Sequence, residues 1–262
     1  MSKVPSAPIF RTAILVALCT STPVYAEHQP ADLEPEEGLF AFGDRPYHAA
    51  VSDILLGSAP YRQCQMVFLP SFQREQAVYM VRGDDKKGVP ATVVAVEMKD
   101  QLHGAMMKLL YKKGTKSFYP VGNAAERKAL GRIPRAVRRH EAPLDATTAN
   151  LLEEAWLTVL GRVRYAPPEG SVGGADGESF HAAHYMRNVG YRTGKTWSPE
   201  VGTIAADLVA LARTLREFAV VPGVEREAVR RKLADQAQRL VERARKEPAR
   251  QTAAPPRGAA RP

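Results

Sequence analysis

The feature that most constrains the fold is a pair of alternating stretches in the second half of the chain. Over residues 179–186 and again over 190–197, successive side chains fall on two opposite faces, which is the period of two expected of a β-strand. Gly190 follows the intervening residues and can adopt the positive φ that a tight hairpin needs. We therefore predict a β-hairpin here.

An amphipathic helix is predicted directly after this hairpin. Its apolar residues recur at spacings that place them on one helical stripe: Ile204, Leu208, Leu211, Leu215 and Phe218. Ser198 or Thr203 is expected to cap its N-terminus, because both side chains can accept a hydrogen bond from a first-turn N–H. We expect the stripe to pack on the inner face of the hairpin.

The first half of the chain has the pattern of an antiparallel meander. Three strands are predicted at 63–69, 76–82 and 91–98, and their short connections favour antiparallel neighbours. An exposed edge strand is predicted at 136–142, followed by a helix capped by Asp145. The predicted class is α+β: a strand meander plus a hairpin packed by amphipathic helices, with a basic C-terminal helix and a disordered tail.

The first 26 residues have the pattern of a secretory signal peptide. Lys3 and Arg11 supply positive charge before the short apolar run 13–19, and in Val24-Tyr25-Ala26 the small residues stand at the cleavage positions. The apolar run is too short to span a bilayer. We expect cleavage after Ala26 and export to the periplasm or beyond, and we expect no transmembrane span.

The remaining chain is predicted to fall into four parts. Residues 27–44 form a flexible acidic N-terminus, and 45–221 form a single α+β domain, with a two-lobe division near 122–145 as the alternative. Residues 222–247 form a basic helix that either docks on the body or projects as an arm, and 248–262 form the disordered tail.

The formal charge of +9 is concentrated in two segments. Residues 222–262 hold eleven basic and five acidic side chains, and residues 108–139 hold ten basic side chains with Glu126 as the single acid. Export makes nucleic acid a poor candidate, so the expected partner is an anionic envelope component or another protein. Ordinary solvated helix faces are the alternative interpretation.

The best acid/base candidates are Asp176, His181 and His184. On a helix, the two histidines would share one face as metal ligands do, but on the predicted strand their odd separation sends them to opposite faces. We therefore predict no metal site. Asp176 with His181 or His184 is the pairing that a hydrolase would use, and a structural histidine beside a hairpin is the alternative.

A polar cluster at one end of the hairpin is the candidate ligand site, comprising Asp176, Lys195, Thr196, Trp197 and Ser198. The run Gly194-Lys195-Thr196 resembles the end of a phosphate-binding loop. The glycine that the full pattern requires six residues before Lys195 is replaced by Val189, and Lys195 lies inside a predicted strand. No cofactor is predicted, and turn and capping roles are the alternative.

Nucleophilic catalysis finds little support in the sequence. No Gly-x-Ser-x-Gly motif is present, and Cys64 alternates with Met66 and Phe68, a pattern that predicts a buried and unreactive thiol. The leading prediction is therefore an exported, non-catalytic binding or interaction protein. A periplasmic hydrolase that uses Asp176 with His181 or His184 is the alternative.

Overall fold

A computed structural model describes residues 32–36, 46–57, 61–84, 87–111, 123–164 and 177–247. At its centre is a six-stranded antiparallel sheet with the strand order β4-β3-β2-β1-β5-β6. The strands are β1 (Arg62–Pro70), β2 (Gln76–Val81), β3 (Ala91–Met98), β4 (Val137–Leu144), β5 (Glu178–Met186) and β6 (Gly190–Trp197). The helices are α1 (Pro46–Leu56), α2 (Leu102–Tyr111), α3 (Asn123–Leu130), α4 (Ala146–Leu160), α5 (Ile204–Val220) and α6 (Gly223–Lys246).

The α+β class predicted from the sequence is confirmed. Strands β1 to β4 form the meander, and β5 and β6 form the hairpin, which joins the same sheet through pairing of β5 with β1. Because β4 also pairs with β3, the strands before and after residues 122–145 belong to one continuous sheet. Strand β4 lies at the edge of the sheet, as expected for 136–142.

Helices cover both faces of the sheet. Alternation along β1 sends Met66 and Phe68 into a core with α4, α5 and α6, whereas Val67 points into a core with α1, α2 and α3. Helix α1 was not anticipated from the sequence. Among the described residues, no helix combines the length and the apolar character that crossing a bilayer requires.

The prediction that α5 packs on the hairpin is wrong. Helix α5 packs chiefly on β3 and β4, while α4 lies against β5, β1 and β6. Helix α4 thus occupies the face of the hairpin on which α5 was predicted to pack. Thr203 caps α5 by accepting a hydrogen bond from Ala206 N, and Asp145 caps α4 in the same way through Thr148 N. Ser198 does not cap the helix.

Residues 32–36, which we call the N-terminal strap, pair with the outer edge of β6. Glu34 and Lys195 exchange two backbone hydrogen bonds of 2.7 Å, and Leu33 enters the core beside Gly194. This part of the predicted acidic N-terminus, 27–44, is extended and finds backbone partners on an open strand edge. The rest of the predicted acidic N-terminus, residues 27–31 and 37–44, lies outside the described residues.

Helix α6 docks on the body rather than projecting from it. One apolar stripe packs between α4 and α5, through the residues Val229, Leu233, Ala237, Leu240, Val241 and Ala244. The Arg162 guanidinium donates to Asp32 Oδ1 of the strap at 3.2 Å and to the Ala244 and Glu247 carbonyls at 2.9 and 2.7 Å. The predicted tail, 248–262, lies outside the described residues.

Candidate functional site

The run from His181 to His184 is extended in β5, so its two imidazoles point to opposite faces of the sheet. His184 shares the face that α4 covers, and His181 shares the face that carries Val67. Both histidines are buried. The third member of the predicted acid/base set, Asp176, lies outside the described residues.

His181 contacts a carboxylate that the sequence did not suggest. Its Nδ1 lies within hydrogen-bonding distance of Glu36 Oε2, at the end of the strap, and the side chains are 7% and 1% exposed. The His48 ring of α1 stands edge-on to the His181 ring with 5.9 Å between centroids. Glu36 lies 145 residues from His181, so no local sequence pattern could have joined them.

His184 faces the buried thiol of Cys64. Its Nδ1 accepts a hydrogen bond from Cys64 N at 3.3 Å and lies 4.0 Å from Cys64 Sγ. Burial, and next the charge of Arg82, lower the pKa of His184 to about 4. Burial, and next the charge of Glu153, raise the pKa of the Cys64 thiol well above its usual value. At neutral pH the pair is therefore a neutral imidazole and a protonated thiol, which lacks the nucleophile of a cysteine hydrolase.

The predicted ligand residues of β6 do not converge on one point. Lys195 pairs across the sheet with His181 and Thr196 with Phe180, so their side chains lie on opposite faces. Thr196 is buried, and the Trp197 ring packs flush against Gly177. Ser198 Oγ accepts a hydrogen bond from Glu178 N at 3.1 Å, which closes the end of the hairpin.

Metal binding finds no assembled ligand set in the part of the chain that the structure describes. Within the described ranges, no three His, Cys, Asp or Glu side chains lie close enough together to hold a metal ion.

An exposed aromatic cluster lies at the opposite end of the hairpin. The Tyr185 ring contacts the Tyr61 ring at 4.7 Å and the Tyr191 ring at 5.4 Å between centroids. Tyr61 is 62% exposed, Tyr191 is 42% exposed, and Val189 in the connecting turn is 72% exposed. We call these four residues the tyrosine surface. Exposed aromatic clusters of this kind are typical of interaction sites.

The backbone beneath the tyrosine surface is firmly held. Arg62 N donates to Tyr191 Oη at 3.4 Å, and the Arg62 guanidinium donates to the Leu56 and Gly57 carbonyls at the end of α1, each at 3.1 Å. Tyr61 adopts a φ of 57°, which is uncommon for a residue with a side chain. The surrounding contacts therefore hold the Tyr61 backbone in a conformation that a residue with a side chain seldom adopts.

Sequence reasoning missed the tyrosine surface. Tyr185 and Tyr191 face each other across the hairpin, so a register drawn from the turn would have paired them. Tyr61 comes from the start of β1 and carries no local signal. The turn also exposes Arg187, which forms no ion pair with any residue that the structure describes.

Of the two basic segments predicted to bind an anionic partner, α6 is extensively ion-paired within the protein, whereas 108–139 shows two ion-paired arginines among its described residues. Side chains of α6 form ion pairs with acids on α6 itself and on α4 and α5, including Arg230–Glu227, Lys232–Glu217, Arg239–Asp235, Arg243–Asp207 and Arg245–Glu154. In the other segment, Arg135 pairs with Asp53 and Arg139 with Glu141, while residues 112–122 lie outside the described ranges. Mutual pairing leaves these cations less able to attract a partner.

Comparison with known proteins gives no match to this chain among protein-family models, curated proteins or solved structures.

Proposed function

We propose that this chain is an exported, non-catalytic binding protein that recognises a protein partner through the tyrosine surface. The observation that carries the proposal is the mutual ring contact of Tyr61, Tyr185 and Tyr191 with two of the rings exposed. Tyrosine is among the residues that dominate binding energy at protein interfaces, since it supplies a large contact area at a low cost in side-chain entropy. Export rests on the signal pattern that ends at Ala26.

The environment of the tyrosine surface favours a partner with some negative charge. Arg187 is exposed in the same turn as Val189 and forms no ion pair with a described residue. A carboxylate of the partner would find this guanidinium at the rim, where a charge influences association rate and specificity more than affinity. The anionic partner predicted from the basic segments stays a prediction, and the hairpin turn offers such a partner a further cation.

The alternative, a periplasmic hydrolase that uses Asp176 with His181 or His184, has weaker support. His181 contacts Glu36, and the pKa of His184 is lowered to about 4, far from the pH at which a general base operates best. Both imidazoles are buried. A substrate would have to displace α4 to reach His184, and the strap to reach His181.

Site-specific photo-cross-linking in intact cells tests the proposal. A benzophenone amino acid at Val189 is expected to yield one discrete adduct, while the same probe at Val201, which is 95% exposed at the other end of the sheet, yields none. Combining Tyr61→Ala with Tyr191→Ala should abolish the adduct, since each such truncation costs about 2 kcal/mol or more at a binding hot spot. Equal labelling at both positions, or an adduct that survives the double substitution, contradicts the proposal.

Export is tested separately. The N-terminal residue of the protein recovered from the cell envelope fraction should be Glu27, the first residue after Ala26. A cytoplasmic protein that retains Lys3 and Arg11 would contradict this part of the proposal.

A further inference from the structure

A surface cleft lies at the end of the sheet opposite the tyrosine surface. It has a volume of about 460 Å³, which is in the range of small-ligand sites. One wall is the connection between β1 and β2, with Phe72 and Arg74, and the other is the end of β3, with Glu97, together with the turn that follows it, with Asp100. Gln73, Gln76 and Gln101 complete the lining.

A fully buried carboxylate holds the two walls of this cleft together. Glu75 accepts hydrogen bonds from Leu102 N and His103 N, the first N–H groups of α2, at 2.8 Å each, and from Tyr47 Oη at 2.9 Å. The Glu75 carbonyl accepts from Met98 N at 3.0 Å. Residues on either side of Glu75 are therefore fixed in position, so the cleft is formed before any ligand arrives.

A second tie joins the walls at the rim. Gln101 Nε2 donates to the Ser71 carbonyl at 2.9 Å, and Ser71 is itself bonded to Gly177 through both its backbone N–H and its hydroxyl. The phenyl ring of Phe72, next to Ser71, is nonetheless 78% exposed. The Phe72 ring is therefore accessible to an apolar group of a ligand in the cleft.

The charges of the cleft have both signs and are incompletely paired. The Arg74 guanidinium lies 4.0 Å from the Glu97 carboxylate, which is the limit of an ion pair, and both groups retain contact with water. Asp100 is exposed and forms no ion pair or hydrogen bond with the described part of the chain. The lining thus offers one cation, two carboxylates, three carboxamides and one phenyl ring.

We propose that this cleft binds a zwitterionic ligand of the α-amino-acid class with an apolar side chain. The Glu97 and Asp100 carboxylates match an ammonium group, the Arg74 guanidinium matches a carboxylate, and the Phe72 ring matches the apolar side chain. The glutamine amides supply the remaining hydrogen bonds. This site is independent of the proposed protein-binding function, since it lies at the other end of the sheet.

Three related probes separate the two charge contacts. L-Leucine carries both charges, leucinamide lacks the carboxylate, and N-acetyl-leucine lacks the ammonium group. Binding is measured by isothermal titration calorimetry and by shifts of the glutamine side-chain NH₂ signals in NMR spectra. L-Leucine is expected to bind more tightly than either analogue, each analogue being weaker by about tenfold, the size of one charge-assisted contact.

Matched substitutions assign each contact. Arg74→Gln should weaken L-leucine about tenfold and leave leucinamide unchanged, whereas Asp100→Asn should weaken L-leucine and leucinamide and leave N-acetyl-leucine unchanged. Phe72→Ala, at an exposed position that is not part of the core, should weaken all three probes. The midpoint of urea unfolding should stay unchanged in each variant, which confirms an intact fold.

Two results would overturn the proposal. One is the absence of heat and of NMR shifts with L-leucine at about 10 mM, since a useful site binds at millimolar concentration or below. The other is binding that none of the three substitutions changes, which places the ligand elsewhere. Neither result bears on cross-linking at Val189, so the two proposals fail separately.

Discussion

Truncating Leu33 tests whether the N-terminal strap is an integral part of the fold. Leu33 is 1% exposed. Its side chain contacts Gly194 and lies beside Val163 in the core under α4. Replacing it by alanine removes roughly three methylene-sized groups, or about 2.4 kcal/mol of transfer free energy at about 0.8 kcal/mol each. The residual cavity adds to this cost.

The strap limits how large the effect of Leu33→Ala becomes. Besides the Leu33 side chain, the strap is held by two backbone hydrogen bonds to Lys195, by a hydrogen bond from Arg164 N to the Leu33 carbonyl at 2.9 Å, by the Asp32–Arg162 ion pair and by the Glu36–His181 contact. Detachment of the strap relieves the cavity, so the loss stays near the lower part of the usual range for buried leucine. We expect the free energy of unfolding to fall by about 3 kcal/mol.

Urea unfolding followed by tryptophan fluorescence measures this change, because the fully buried Trp156 reports on the core under α4. Hydrogen exchange adds a local measurement: the Lys195 amide, bonded to the Glu34 carbonyl, should be protected in the wild type and lose protection in Leu33→Ala. Val201→Ala, at a 95% exposed position, is the control and should change stability by less than about 0.5 kcal/mol. A Leu33→Ala variant as stable as this control would refute the assignment of the strap to the core.

Three further predictions concern buried polar groups. Glu75→Gln should lower the free energy of unfolding by about 3 kcal/mol in urea titrations, because an amide replaces a carboxylate that accepts three hydrogen bonds, two of them from a helix N-terminus. Because the folded protein lowers the pKa of His184 to about 4, protonation favours the unfolded chain. The contribution of His184 to stability is present above about pH 6.5 and falls by about 3 kcal/mol as the pH decreases to 4. His184→Gln should reduce this fall, and a fall of unchanged size in the variant would contradict the assignment. In the mature chain that begins at Glu27, Cys64 should react with a disulfide reagent only as fast as the protein unfolds, and rapid labelling of the folded protein would contradict its burial.

Local patterns predicted the elements that depend on neighbouring residues. The alternation over 179–186 and 190–197 identified β5 and β6, because the pleat of a strand imposes that period directly. Asp145 and Thr203 were predicted as caps, since a capping side chain needs only the N–H groups two or three residues ahead. The extended form of the histidine run followed from the same alternation.

Contacts between distant segments could not be predicted in this way. The strap pairs with β6 across about 160 residues, a contact that depends on which strand edge remains open after the sheet has assembled. Tyr61 reaches Tyr185 only because β1 and β5 are neighbours in the sheet, and the sequence does not specify that order. The packing of α5 on β3 and β4 likewise depends on α4 having covered the hairpin.

The contacts of Arg162 have a consequence for the biosynthesis of this protein. A single guanidinium holds Asp32 at one end of the described chain and Glu247 at the other. As long as the last turns of α6 are not in place, the apolar sides of α4 and α5 remain in water and Arg162 lacks its carbonyl acceptors. The polypeptide thus acquires its final stability only after residue 247 has emerged, and a nascent chain released earlier would expose a surface that chaperones and proteases recognise.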